Sequence, residues 1–235
     1  MTLNTPVQAS LRPTSSVSMI LALGSIALIS GVLVVLIFQL TLPMINENKR
    51  IAIEKAVFHV IPGTHSRQDF VFTDQGLLKP ADGRTSGSTI YAGYDKQDSF
   101  IGIAAEASAP GYQDVIRVLF GYKLDCQCIT GIKVLKMTET PGLGDKIAKD
   151  PAFLKNFQAL DARVNEAGNG LLHAITTVKH GKKIHPWQID AISGATISSN
   201  AIGKMLNESS QYIIPLAQAR LDSFVKETSS NDDTQ

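Results

Sequence analysis

Between Val17 and Leu42 the chain carries no charged residue, and beyond Met44 its apolar positions fall first at helical and then at strand spacing. The uncharged run of 26 residues would reach about 39 Å as a helix at ~1.5 Å per residue. That exceeds a hydrocarbon core of about 30 Å. A cleaved signal peptide has a shorter apolar region, of about 7 to 15 residues, followed by a small-x-small site. The segment Gln39-Leu40-Thr41-Leu42-Pro43-Met44 offers no such site, so a retained transmembrane helix over 17–42 is expected. Ahead of it, residues 1–16 read as a short polar tail, expected to be disordered. Ala27 and Gly31 form a small-xxx-small pair suited to close packing by another membrane helix. Residues 43–62 read as a connecting helix, with Ile53, Val57, Val60 and Ile61 near helical spacing and Pro62-Gly63 as its stop.

Strand signals dominate the next part. His65 to Ser88 is polar and turn-rich apart from Phe70-Val71-Phe72, with Lys79-Pro80 and Asp82-Gly83 marking loops. Thr89–Tyr94 and Phe100–Ala105 flank the polar Asp95–Ser99 and predict a hairpin. Val115–Phe120 and Ile129–Met137 predict a second, around Lys123–Gln127, with a turn at Ala109-Pro110-Gly111-Tyr112 between the pairs. The pattern predicts an antiparallel sheet with one buried face, and so an α+β domain over 63–226. Asp150-Pro151 opens a helix with an N-cap and a proline at the first position, and Phe153, Leu154, Phe157 and Leu160 form its apolar face. Leu171–Val178 reads as a strand. Ile197, Ala201, Ile202, Met205 and Leu206 stripe a helix that begins after Thr196, and Pro215 starts or kinks a further one. Residues 227–235 read as a solvated tail, expected to be disordered.

Two loops carry candidate chemistry. In Glu139-Thr140-Pro141-Gly142-Leu143-Gly144-Asp145, Pro141 fixes its own φ and the two glycines permit positive φ on either side of Leu143, so a tight loop with open backbone N–H groups results. It is either a surface for a flat ligand or a plain strand-to-helix turn. In Asp190-Ala191-Ile192-Ser193-Gly194-Ala195-Thr196, small residues bring the backbone close to whatever lies above Thr196, at the mouth of a helix. Unpaired N–H groups and the positive end of the helix dipole suit a phosphate there. The same residues also make an ordinary turn with Ser198 or Ser199 as N-cap.

Composition narrows the rest. With 235 residues, a net charge of +1 and no long basic run, the chain has no electrostatic footprint for nucleic acid. The five histidines show no zinc-ligand spacing, and no metal is assigned. No G-x-S-x-G elbow supports Ser193 as a hydrolase nucleophile, no P-loop is present, and no catalytic residue is assigned. Cys126 and Cys128 are separated by Gln127 alone, a spacer that satisfies disulfide geometry poorly, so two free thiols are expected. Arg12 on one side of the apolar run, against Lys49, Arg50 and Lys55 on the other, leans towards a cytoplasmic domain.

Taken together, the Glu139–Gly144 and Asp190–Thr196 motifs, in this order and behind a single apolar helix, resemble the FMN-binding domain of the G subunit of the Rnf ion-translocating electron transport complex. The C subunit of the sodium-pumping NADH:quinone reductase is related to it, and the Gly142-Leu143-Gly144-Asp145-Lys146 continuation looks more like the Rnf protein. The resemblance covers nearly the whole chain and implies several things. FMN is joined by a phosphoester to Thr196 through a separate flavin transferase, with Ser193, Gly194 and Ala195 beside it and Thr140, Gly142 and Leu143 bordering the flavin. The protein is an electron-transfer subunit rather than a stand-alone enzyme, and its partners are the other membrane subunits and membrane lipid. Its place is the bacterial inner membrane, single-pass, with the domain on the periplasmic side, against the lean of the charges. The competing class is an anchored extracytoplasmic binding or assembly module without redox chemistry. Cys126 and Cys128 stand outside the family pattern.

Overall fold

The computed structural model describes residues 15–73, 76–78 and 88–224. The polar tail up to residue 14, the expected loops at Lys79-Pro80 and Asp82-Gly83, and the tail 227–235 lie outside the described residues. The chain divides into two compact units, residues 1–50 and 51–235. In the first, the described residues from 16 onward belong to helix α1 (Ser16–Val60), whose 45 residues make it long and apolar enough to cross a membrane. Its large apolar side chains from Val17 to Leu40 are all more than half exposed. An isolated helix in water could not sustain such an apolar surface, so a non-aqueous or protein partner is implied.

The second unit is an α+β domain built on an antiparallel sheet. Its strands are β1 (Ser66–Thr73), β2 (Gly76–Leu78), β3 (Ser88–Tyr94), β4 (Phe100–Pro110), β5 (Val115–Lys123), β6 (Cys128–Lys136) and β7 (Leu160–Asp161), in the order β2-β1-β3-β4-β5-β6-β7. Every neighbouring pair is antiparallel. Helix α2 (Pro151–Lys155) precedes β7, and a short parallel pair, β8 (Thr176–Val178) with β9 (Gln188–Asp190), leads into the long helix α3 (Thr196–Gln218).

Period-2 alternation gives the sheet two covered faces. Ile103, Ala105, Ala107 and Ala109 of β4 and Ile116, Val118, Phe120 and Tyr122 of β5 bury in the main core with Ile202, Leu206 and Ile214 of α3. Tyr91, Ala104 and Leu119 point the opposite way, into a smaller cluster with Ala56, Val57, Val60 and Ile61. The last turn of α1 therefore belongs to the second unit. It sits on a bare patch: Gly121 of β5 faces Gly131 of β6, and a Cβ on Gly121 would stand 2.1 Å from the Val60 carbonyl oxygen. That oxygen, left without a helical partner at the C-terminus, accepts from Thr130 Oγ1 at 2.7 Å.

Several expectations change. Phe70–Phe72 belong to a full strand, because β1 pairs along its length with β3. β4 runs through Ala109 to Pro110, and the turn follows at Gly111–Asp114, closed by Gly111 N donating to Asp114 O at 2.9 Å. α2 stops at Lys155, yet Phe157 and Leu160 still enter the core beyond its end. Leu171 meets Val164 through a single bridge rather than a strand. Pro215 lies inside α3, where burial of Ile213, Ile214 and Ala217 offsets the missing hydrogen bond. Ser198 and Ser199 are not caps, because the positive φ of Gly194 turns the chain early and α3 starts at Thr196 with Ala195 in the N-cap position.

The largest correction concerns the cysteines. Cys126 and Cys128 are disulfide-bonded to each other. An extended pair two residues apart would place its Cα atoms about 6.6 Å apart, at ~3.3 Å per residue. Gln127 instead adopts a left-handed conformation, φ 46°, which brings them from the upper edge of the usual disulfide range to 5.1 Å, well inside it.

Gly121→Ala forces its methyl into the α1 terminus, and overpacking of this kind typically costs about 1–3 kcal/mol. Denaturant unfolding of the full chain should show that loss, whereas Gly142→Ala, where a Cβ meets nothing within 4 Å, should lose only what its positive φ demands.

Candidate functional site

Strand β6 delivers one wall of the site and α3 the other. Past Lys136 the chain leaves the sheet and reaches Glu139, which is buried at 7% exposure. Its Oε1 accepts from the backbone N–H groups of Tyr112 at 2.9 Å and Gln113 at 3.3 Å, in the β4–β5 turn. Its Oε2 accepts a hydrogen bond from Ser198 Oγ, in the first turn of α3. One carboxyl group thus joins three segments. Two glycines make room for it: a Cβ on Gly111 would lie 2.4 Å from Oε1, and one on Gly144 would lie 2.5 Å from Oε2.

The loop after Glu139 is closed by backbone hydrogen bonding and by the side chains of Gln113 and Asp145. Leu143 N donates to Thr140 O at 3.1 Å, Gln113 Nε2 donates to Thr140 Oγ1 at 3.2 Å, and Gly142, at φ +79°, donates its N–H to Asp145 Oδ1 at 2.7 Å. Lys149 Nζ, 2.9 Å from Asp145 Oδ2, holds that carboxyl below the usual aspartate range, with help from the Gly142 N–H. The loop leads through a 3-10 turn, Gly144–Ala148, whose Ile147 is fully buried.

The second loop is clamped at both ends. The buried side chain of Asn156 accepts from Asp190 N at 3.1 Å and donates to Asp190 O at 3.2 Å, and so fixes the end of β9. Lys183 Nζ donates to the same Asn156 oxygen at 3.1 Å, and partial burial lowers its pKa. Ser199 Oγ accepts from Ile192 N at 3.1 Å, while Ala195 N donates to Ile192 O at 3.0 Å. Helix α3 is pressed against β8 below, where a Cβ on Gly203 would collide with Thr177 Oγ1 at 1.9 Å.

The two loops meet across a cavity of about 480 Å³ lined by Thr140, Leu143, Gly194, Ala195 and Thr196, together with Tyr112, Glu139, Gly144, Ile197 and Ser198. Its size suits a cofactor. Of the residues singled out in the sequence, five line this space. Ser193 faces instead a cavity of about 220 Å³ with Lys146, Asp150 and His180, and Gly142 lines neither, serving the loop through its positive φ. Thr196 is exposed, no side chain caps α3, and its first turn holds no acidic residue, so the helix dipole and free N–H groups face the cavity. Tyr112, Leu143 and Ile197, each about half exposed or more, give the mouth an apolar rim.

Tyr112, Ile197 and Ser198 were read from the sequence only as turn, helix-face and cap residues, not as part of the site. Glu139 was recognised only as the first residue of its motif, and Asn156 carried no signal of periodicity or spacing.

Residues 111–211 match the FMN-binding domain family, a span that includes both walls of the cavity. The G subunit of the ion-translocating oxidoreductase complex of Aliivibrio fischeri is 31% identical over 198 residues, covering 80% of this chain and 84% of that protein. The chain belongs to this G-subunit family. Its counterpart in Methanosarcina acetivorans is 36% identical over 123 residues, and this chain spans only about half of that relative, 57% of its length. The crystal structure of Shewanella oneidensis NqrC has the same fold, with a TM-score of 0.57 at 13% identity, covering 74% of this chain and 98% of that one.

Two outcomes follow for this member of the family. Glu139→Ala leaves buried donors without an acceptor and should cost about 2 kcal/mol or more in urea unfolding, with Glu139→Gln, which keeps a carbonyl acceptor, costing less. A folded-state pKa lowered for Asp145 means that its clasp on Gly142 is fully present above the ordinary value of 3.8 and is lost as pH falls through the lower folded value. The Gly142 amide resonance should therefore titrate below that ordinary value, and a midpoint at or above it would refute the clasp.

Proposed function

We propose that this chain is the membrane-anchored flavin-carrying subunit of an ion-translocating electron transport complex, holding FMN through a phosphoester to Thr196. The observation that carries the reading is an exposed threonine hydroxyl at the start of an uncapped 23-residue helix, opening on a cavity with an apolar rim. A phosphate there meets the positive end of the dipole and the first-turn N–H groups. Gly194 and Ala195 present no bulk near it, and Ser193 shapes the loop from the other side. Tyr112, Leu143 and Ile197 offer a flat apolar ring a surface to rest on, with Thr140 and Gly142 setting the loop that carries Leu143. The match of residues 111–211 to the FMN-binding domain supports the choice of cofactor.

The flavin would supply one- and two-electron chemistry, and the chain would supply position and electrostatics. Thr196 Oγ1 would form the bond to phosphorus as a separate flavin transferase breaks a phosphoanhydride in a flavin dinucleotide donor, the other nucleotide leaving as its monophosphate and the hydroxyl proton passing to solvent. The covalent tether keeps the cofactor in place without requiring tight non-covalent binding. The names of the relatives support membership of a multi-subunit ion-translocating complex, whose other membrane subunits would be the partners. The 45-residue helix supports a single-pass anchor in the inner membrane, in contact with lipid over residues 17–42, followed by a connecting segment over 43–62 and the flavin domain over 63–226. We place that domain on the periplasmic side.

Protein co-produced with the transferase should be heavier by one esterified FMN and should show a fluorescent band in a denaturing gel. Thr196→Ala should abolish both while leaving the thermal midpoint of the unloaded protein unchanged. A peptide spanning Ser193–Ser199 from the natural host, found with Thr196 unmodified, would overturn the reading.

A further inference from the structure

We propose that Cys126 and Cys128 form a reversible dithiol–disulfide couple, a thiol-exchange site on the β5–β6 hairpin that is separate from the flavin cavity. The couple is asymmetric. Cys126 is exposed at the tip of the hairpin, whereas Cys128 is 5% exposed and begins β6. An incoming thiolate can reach only the outer sulfur.

As a staple the bond does little. It links residues two apart, so the loop it closes in the unfolded chain is among the shortest possible, and the entropic gain from a cross-link falls with loop length. The hairpin is held by other means. Lys123 and Cys128 are paired in the β5–β6 ladder, Gln127 N donates to Leu124 O at 3.3 Å, and Ala162 N donates to Gln127 O at 3.1 Å. These bonds keep Gln127 left-handed whether or not the sulfurs are joined. The backbone presents both sulfurs in either oxidation state, and the carbonyl oxygens of Lys123 and Cys128, each 3.8 Å from Cys126 Sγ, can accept the thiol proton of the reduced form.

Exchange balances with a protein dithiol of the thioredoxin class as reductant. One thiolate of the donor attacks Cys126 Sγ, the Cys126–Cys128 bond breaks, and Cys128 leaves as a thiolate that takes up a proton. The second donor thiolate attacks the donor sulfur of the mixed disulfide, and Cys126 leaves in turn and is protonated. Two electrons and two protons pass to the protein, and the donor is left as a disulfide. Cys128 and Lys136 are the two ends of the nine-residue strand β6, about 26 Å apart at ~3.3 Å per residue. The cavity wall begins only beyond, at Glu139, so the couple answers to thiol chemistry around the hairpin and not to the flavin.

The full-length chain in detergent, incubated under native conditions with reduced thioredoxin and then with a maleimide, should carry an adduct at Cys126, with Cys128 labelled only once the chain is denatured. Oxidised glutathione added before the maleimide should remove the Cys126 adduct, and reduction should move the thermal midpoint by no more than about 4 °C. The Cys126→Ser, Cys128→Ser double variant should fold and take no label. Labelling of Cys126 that appears only in denaturant, or a midpoint that collapses on reduction, would overturn the proposal. The readout needs no bound flavin, so its failure leaves the flavin assignment standing, and an unmodified Thr196 leaves the thiol couple standing.

Discussion

The buried carboxyl group of Glu139 is the contact on which the site depends. It gathers a turn, a loop and a helix start that are distant in sequence, and it does so with hydrogen bonds alone, to Tyr112 N, Gln113 N and Ser198 Oγ. Burying such a group without partners is costly, so each donor is bound to it as much as it is bound to them. Gly111 and Gly144 are required by the same contact, since any side chain at either would occupy the space of the carboxyl oxygens. The cavity is what remains open once these three segments have been drawn together.

The sheet behind the site is held from two sides by different means. On one face, α3 packs apolar side chains into those of β4 and β5, and its far end is tied down by Gln218 Nε2 donating to Tyr122 OH at 2.7 Å. Burial pushes the Tyr122 phenol up to about 12, so the hydroxyl stays neutral and available at any physiological pH. Beyond the helix, Tyr94 OH donates to Phe224 O at 2.8 Å, and Phe224 stacks on Phe100 and meets Phe70 edge-on. On the other face, the end of α1 rests on Gly121 and Gly131 with backbone against backbone.

What the sequence made legible were features with a local cause. The uncharged run, the alternating strands β3 to β6 and the Asp150-Pro151 helix start each follow from residues within one element, and the observed Asp150 cap, accepting from Ala152 N and Phe153 N, is such a case. Strand β1 was obscured because Ser66, Arg67, Gln68 and Asp69 are polar and its pairing with β3 is made at a distance. The cysteine bond was missed because the conformation of Gln127, not the spacing, decides it. For the site, both loops stood out as runs of small and turn-forming residues, and their likeness to a known family named the threonine. That they face one another rests on the Glu139–Ser198 contact, made across 59 positions, and on the grip of Asn156 on Asp190. No periodicity in the chain encodes contacts of that range.

The exposure of Thr196 bears on the order of events in the life of the protein. Its neighbours are already engaged with the rest of the chain, with Ser198 held by Glu139, Ser199 closing onto Ile192 and Asp190 gripped by Asn156. The loop that presents the hydroxyl is therefore held by contacts within the chain itself. On the proposed reading, an enzyme that adds flavin at Thr196 would meet a completed surface rather than a nascent chain, so folding would come before loading.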